Sequence, residues 1–94
     1  MYWKIKVPKG LIKFLGGKTR GRELGLLLEM ALDSFEPSNE QLFDDFVTVE
    51  VPADLAKKII EKLVMLKKKY KLPEEKVWLI ASKSFMSKRA KGVT

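Results

Sequence analysis

The sequence predicts an α+β domain, mostly helical, with two short strands and about four helices in the order strand, helix, helix, twice over. Three observations predict it. Tyr2-Trp3-Lys4-Ile5-Lys6-Val7-Pro8 and Phe46-Val47-Thr48-Val49-Glu50-Val51-Pro52 both alternate apolar and polar residues and both meet a proline. Each is followed by apolar residues three and four apart, the helical period. Finally, 94 residues at 46% hydrophobic content suffice for one small domain, or for two very small units sharing a core.

Period-two alternation gives each strand two unlike faces. Trp3, Ile5 and Val7 are expected on the core side with Val47, Val49 and Val51. Tyr2, Lys4 and Lys6 point the other way, with Phe46, Thr48 and Glu50 as their counterparts. Pro8 suits the first position of a helix carrying Leu11, Ile12, Phe14 and Leu15, which Gly16-Gly17 ends after about two turns. Lys18-Thr19-Arg20-Gly21-Arg22 is a basic turn in which Thr19 is placed to cap the next helix. That helix runs from about Arg20 or Arg22 to Ser34 on a stripe of Leu24, Leu27, Leu28, Ala31, Leu32 and Phe35. Gly25 interrupts it at a cost of about 1 kcal/mol, a sign of close packing against another backbone.

Residues 36–45 read as an acidic linker, with Leu42 and Phe43 as its pins to the domain. After the second strand, Pro52 repeats the role of Pro8, and Asp54 favours the helix dipole. Leu55, Ile59, Leu63, Leu66 and Tyr70, with Ala56, Ile60 and Val64, form the most amphipathic helix. Pro73-Glu74-Glu75 opens the last one, whose stripe is Val77, Ile80, Ala81, Ser84 and Phe85, flanked by Trp78. The organisation is thus a first strand-helix-helix copy over 1–35, the linker over 36–45, a second copy over 46–87, and a basic tail over 88–94.

Composition narrows the function classes. There is no cysteine and no histidine, which removes disulfides, thiolate metal sites, the usual zinc ligand and the usual general base. No phosphate loop or paired-carboxylate motif is present, so neither an enzyme nor a cofactor is expected. Apolar runs such as Leu26-Leu27-Leu28 are far short of the roughly 20 residues of a bilayer span, and Lys4, Lys6 and Lys9 interrupt any signal-peptide core. A cytoplasmic location, or a host-cell cytoplasm for a viral protein, is expected. Asn39 and Gln41 are the only side-chain amides amid abundant Lys and Glu, the composition of a thermophile, archaeal or viral.

The net charge of +7 is segregated along the chain: residues 1–22 hold seven bases and no acid, 23–54 nine acids and no base, and 55–94 twelve bases against three acids. Such segregation can build a basic surface despite many acids, the footprint of a polyanion-binding protein; the alternative on charge alone is the solvated, lysine-rich surface of a thermophile.

The two halves align. Trp3–Leu11 matches Val47–Leu55 at an offset of 44 with three identities in nine. The later helices align at an offset of 53, pairing Leu24 with Val77, Leu27 with Ile80, Leu28 with Ala81 and Leu32 with Phe85. Strand, proline, helix, turn, helix, recurring twice, resembles the ribbon-helix-helix family of DNA-binding proteins, the Arc/Met repressor-like group. Val47 to Leu55 through Phe85 is the better match, and Trp3 to Pro8 with Gly17-Lys18-Thr19-Arg20 is the other. The resemblance implies a tandem pseudo-dimer in which the two strands pair as an antiparallel ribbon that enters the major groove of double-stranded DNA. The linker over 34–45, 12 residues long, reaches at most about 40 Å, enough for pairing within one chain. A monomeric pseudo-dimer or a homo-oligomer would satisfy it.

Carried across on that resemblance, Tyr2, Lys4, Lys6, Thr48 and Glu50 contact bases: lysine donates to guanine, threonine meets several base edges, and glutamate accepts from cytosine N4. Tyr2 and Phe46 either stack on bases or fill an edge. Lys18, Thr19, Arg20 and Arg22 would hold a phosphate at a helix start. Copy two differs there, since Glu74 and Glu75 repel a phosphate, so copy one is expected to carry more of the binding. The function implied is that of a DNA-binding transcriptional regulator. The alternative is a protein-interaction module, antitoxin-like or a viral scaffold, using the acidic middle segment.

Overall fold

Side-chain alternation sets both faces of the ribbon. The structure, a computed structural model, describes residues 1–91. Strands β1 (Tyr2–Pro8) and β2 (Phe46–Pro52) pair antiparallel within the one chain. Trp3 lies opposite Val51, Ile5 opposite Val49 and Val7 opposite Val47, while Lys4 meets Glu50 and Lys6 meets Thr48. Opposed residues share a face, so one side is wholly apolar and the other polar, as the alternation predicts. Ile5, Val7, Val49 and Val51 are buried, and Trp3 and Val47 half-buried.

Among the described residues, four helices complete the domain: α1 (Lys9–Phe14), α2 (Arg22–Asp33), α3 (Ala53–Tyr70) and α4 (Glu74–Lys91). Helix α2 packs on α3, α4 and β2, whereas α4 packs on α2, α3, β1 and α1. The second helix of each copy therefore covers the strand and the first helix of the other. Buried side chains from every element, among them Ile5, Leu11, Leu28, Val49, Ile59 and Trp78, meet in one core. A single strand with two helices would leave that apolar surface, and one edge of its ladder, in water.

Several local expectations need correction. Pro8 and Pro52 lie one residue outside their helices, closing the strands at φ −61° and −55°. A proline φ satisfies both an extended strand end and a helix entrance. Pro73 also precedes its helix, its carbonyl accepting from Val77 N–H at 3.1 Å. Thr19 does not cap α2; that place is taken by Gly21, with no side-chain cap. The residues read as the start of a basic tail are helical to Lys91, and the remainder, residues 92–94, lies outside the described residues. Within that last part of α4, Lys88 pairs with Glu36 at 3.0 Å and donates to the Ser34 carbonyl at 3.3 Å.

The linker is tied down by polar contacts more than by its two apolar residues. Asp44 accepts the Gly10 N–H at 2.7 Å, and the Asp45 carbonyl accepts that of Lys9 at 2.7 Å. These two bonds satisfy orphan donors at the start of α1, which has no acid of its own in its first turn. Glu40 pairs with Lys83. Leu42 is half-buried, but Phe43 is 87% exposed and pins nothing. On α3, Ile60 and Val64 are exposed rather than part of the core, because the stripe from Leu55 to Leu66 already covers the face turned inward. On α4, Trp78 is fully buried rather than flanking, and Ser82, not Ser84, is the buried serine.

Candidate nucleic-acid interface

The polar face of the ribbon has two unlike ends. Lys4, Lys6 and Thr48 are exposed along its middle. Neither lysine forms an ion pair with any described residue. Strands anchor both backbones, so the two ammonium groups stand on a rigid base with their carbon stems free to adjust. At the Pro8–Phe46 end, Lys6, Phe46, Glu74, Glu75 and Trp78 line a cavity of about 180 Å³. Phe46 is half-buried there, filling an edge. The two acids of α4 border this end, where the sequence expects repulsion of a phosphate.

The Tyr2–Pro52 end is built differently, by a loop that the strand pattern does not announce. Gly21, at φ 130°, takes a conformation that side chains other than glycine rarely adopt. It turns Thr19–Gly21 back alongside β2. Glu50 N–H donates to the Thr19 carbonyl at 2.9 Å, and Gly21 N–H donates to the Glu50 carbonyl at 3.1 Å. Together they form a parallel bridge between Arg20 and Glu50. Because bridged residues point to the same side, Lys4, Glu50 and Arg20 make a row across the polar face.

Arg20 is thereby drawn from the helix start onto the ribbon. Its Nε is 3.4 Å from Glu50 Oε2, and its Cζ sits 4.2 Å from the centre of the Tyr2 ring. The acid on the reading face is thus flanked by two cations, Arg20 beside it and Lys4 opposite it. Tyr2 serves here as a platform for the guanidinium.

The other two basic residues of that loop are engaged separately. Lys18 lies 3.7 Å from Glu23, with both side chains largely exposed. Arg22 grips Asp54 with both terminal nitrogens, at 3.0 and 3.5 Å, clamping the start of α2 to the start of α3. Exposed pairs of this kind contribute about 0–1 kcal/mol and yield readily to a competing anion.

The Arg22 hydrogen bond holds the Asp54 carboxyl below its ordinary value of 3.8. A carboxylate lowered on folding adds stability above its unfolded pKa and loses it as pH falls through the folded value. Asp54→Asn should therefore flatten the fall in melting temperature as pH drops below about 4. At neutral pH its effect on melting should be small, as expected of an exposed pair. An unchanged acid limb would show that the clamp contributes nothing to folding.

Sequence reasoning brought together Tyr2, Lys4, Lys6, Thr48 and Glu50, and the structure does place them on one face. It missed the joining of Arg20 to that face. Three glycines within six residues, Gly16, Gly17 and Gly21, were the available signal for a loop that doubles back. Among the described residues there is no group of three side chains fit to hold a metal, and no helix long and apolar enough to cross a membrane. No protein-family model, curated protein or solved structure matches the chain.

Proposed function

We propose that the chain is a DNA-binding protein, a transcriptional regulator that inserts its two-stranded ribbon into the major groove. The observation that carries this reading is the pair Lys4 and Lys6, exposed on a rigid ribbon and free of ion pairs with described residues. Apolar residues on the reverse of the same strands form the core, so the lysines project from a fixed platform. The major groove admits either an α-helix or such a two-stranded element. Lys18, Thr19 and Arg22 flank one end and are assigned to phosphates; Lys18 and Arg22 exchange an internal carboxylate for a DNA anion. The resemblance to ribbon-helix-helix proteins is supported by the intrachain pairing and by the exchange of second helices between copies.

Fluorescence anisotropy with a mixed-sequence duplex tests the proposal. Binding is expected at about 50 mM salt and should weaken steeply as salt rises, log affinity falling with log salt at about 0.9 per phosphate neutralised. No binding at low salt would refute it.

The interaction-module reading has one observation in its favour, the 87% exposed Phe43. It stands beside a groove of about 380 Å³ lined by Leu42, Phe46, Pro73 and Leu79. The linker acids, however, are largely engaged within the chain: Glu36 and Glu40 with α4, and Asp44 at α1. That leaves less of the acidic segment for a partner, and DNA binding is the better reading.

A further inference from the structure

We infer that Arg20 reads a base rather than a phosphate, that Glu50 and Tyr2 hold it for that task, and that the unit recognises a G·C pair at one end of the site. This rests on the DNA-binding reading and assigns its specificity. Unlike Lys18 and Arg22, Arg20 is bridged to β2, and the acid 3.4 Å from its Nε, Glu50, belongs to the ribbon's own polar face. A phosphate brought to the same place would meet that carboxylate. A base edge would not, since guanine offers neutral acceptors.

The contacts also fix the guanidinium in two directions. Glu50 holds its edge, and the Tyr2 ring, 4.2 Å from Cζ, supports its face. Nε lies against Glu50 as an ion pair, so the terminal nitrogens remain for a forked donation, and no described residue accepts from them. The major-groove edge of G·C shows two acceptors, guanine N7 and O6, beside one donor, cytosine N4–H. Arg20 and Glu50 side by side present the complement, two donors next to an acceptor. The exposure of the pair, 62% for Arg20 and 40% for Glu50, leaves room for that contact.

Copy two has no equivalent. The offset of 53 that aligns the later helices puts Pro73 in the place of Arg20, a residue with no donor at all, and Glu74 and Glu75 follow it. The recognised site is therefore directional, with the G·C pair on the copy-one side only.

Selection from a pool of randomised duplexes, followed by anisotropy on the recovered site, tests this with the wild type, Arg20→Ala, Arg20→Lys and Glu50→Gln. Circular dichroism confirms that each variant is folded. Wild-type sites should share one G·C pair at one end. Arg20→Ala should lose about tenfold to hundredfold of the discrimination at that pair and little elsewhere. Arg20→Lys keeps the charge but not the fork, and should not restore the preference. Glu50→Gln should bind mixed DNA more tightly while losing the same preference. Equal weakening on every duplex by Arg20→Ala, repaired by Arg20→Lys, would make Arg20 a phosphate clamp and overturn the inference while leaving DNA binding intact. Wild-type binding without base preference would overturn it likewise. Failure of the wild type to bind any duplex would overturn the underlying reading as well.

Discussion

Replacing Lys4 and Lys6 together by alanine should abolish most duplex binding while leaving the fold in place. Each lysine is exposed on the ribbon and pairs with no described acid, so its removal takes away favourable charge and leaves no buried partner stranded. Two interactions with bases or backbone at about 1–2 kcal/mol each predict an affinity loss on the order of 10²-fold. If the lysines hold phosphates, the slope of log affinity against log salt should also fall by about 1 for each phosphate released. Surface changes away from caps and cores shift stability by about 0.5 kcal/mol or less each, so the double change should move the melting temperature by no more than roughly 8 °C. Anisotropy and thermal circular dichroism on the same preparation decide the matter. Unchanged affinity would remove the ribbon from the interface. A collapse in melting temperature would mean that the lysine stems support the core.

The ribbon was the most legible part of the chain because its signal is local. Trp3, Ile5, Val7 and their counterparts Val47, Val49 and Val51 alternate strictly, and alternation alone decides which face is buried. The helices were legible for the same reason, since Leu24, Leu28 and Leu32 repeat at the helical period. What could not be read was set by tertiary encounter. Thr19 has the chemistry of a cap, but its carbonyl is taken by β2, 31 positions further along at Glu50, and Gly21 takes the capping place. Phe43 looks like a pin because it is aromatic, yet Asp44 and Asp45 hold the linker through backbone donors at α1 that no sequence pattern marks. Charge segregation raised the expectation of a basic surface. It did not tell that Arg20 and Arg22 would each find an acid from the middle segment, leaving Lys4 and Lys6 as the ribbon's cations without an acid partner among the described residues.

Gly25→Val should be the most damaging small change in the protein. Gly25 is buried at the fourth of the 12 positions of α2, where a glycine costs up to about 1 kcal/mol relative to alanine. A β-carbon built there would lie 2.8 Å from Leu55 Cδ1 and 3.3 Å from both Leu55 Cβ and Val51 Cβ. Leu55 is 2% exposed and Val51 fully buried, so neither has space to withdraw. For alanine, the helix gain of about 1 kcal/mol opposes an overpacking penalty of about 1–3 kcal/mol, giving a modest net loss. Valine regains less helix propensity and adds two methyl groups against the same neighbours, so about 3 kcal/mol is expected. That corresponds to a fall in melting temperature of roughly 10–25 °C. Thermal unfolding should rank wild type above Gly25→Ala and Gly25→Val last. Pairing Gly25→Ala with Leu55→Val, which trims the nearest atom, should cost less than the two single changes added. The damage should also reach the interface: Gly25 N–H donates to the Gly21 carbonyl at 3.3 Å, and Gly21 donates to Glu50. Helix α2 displaced from β2 would carry Arg20 off the ribbon. A Gly25→Val protein as stable as the wild type would mean that α2 can stand away from β2, and that the Arg20–Glu50 bridge is not held by packing behind it.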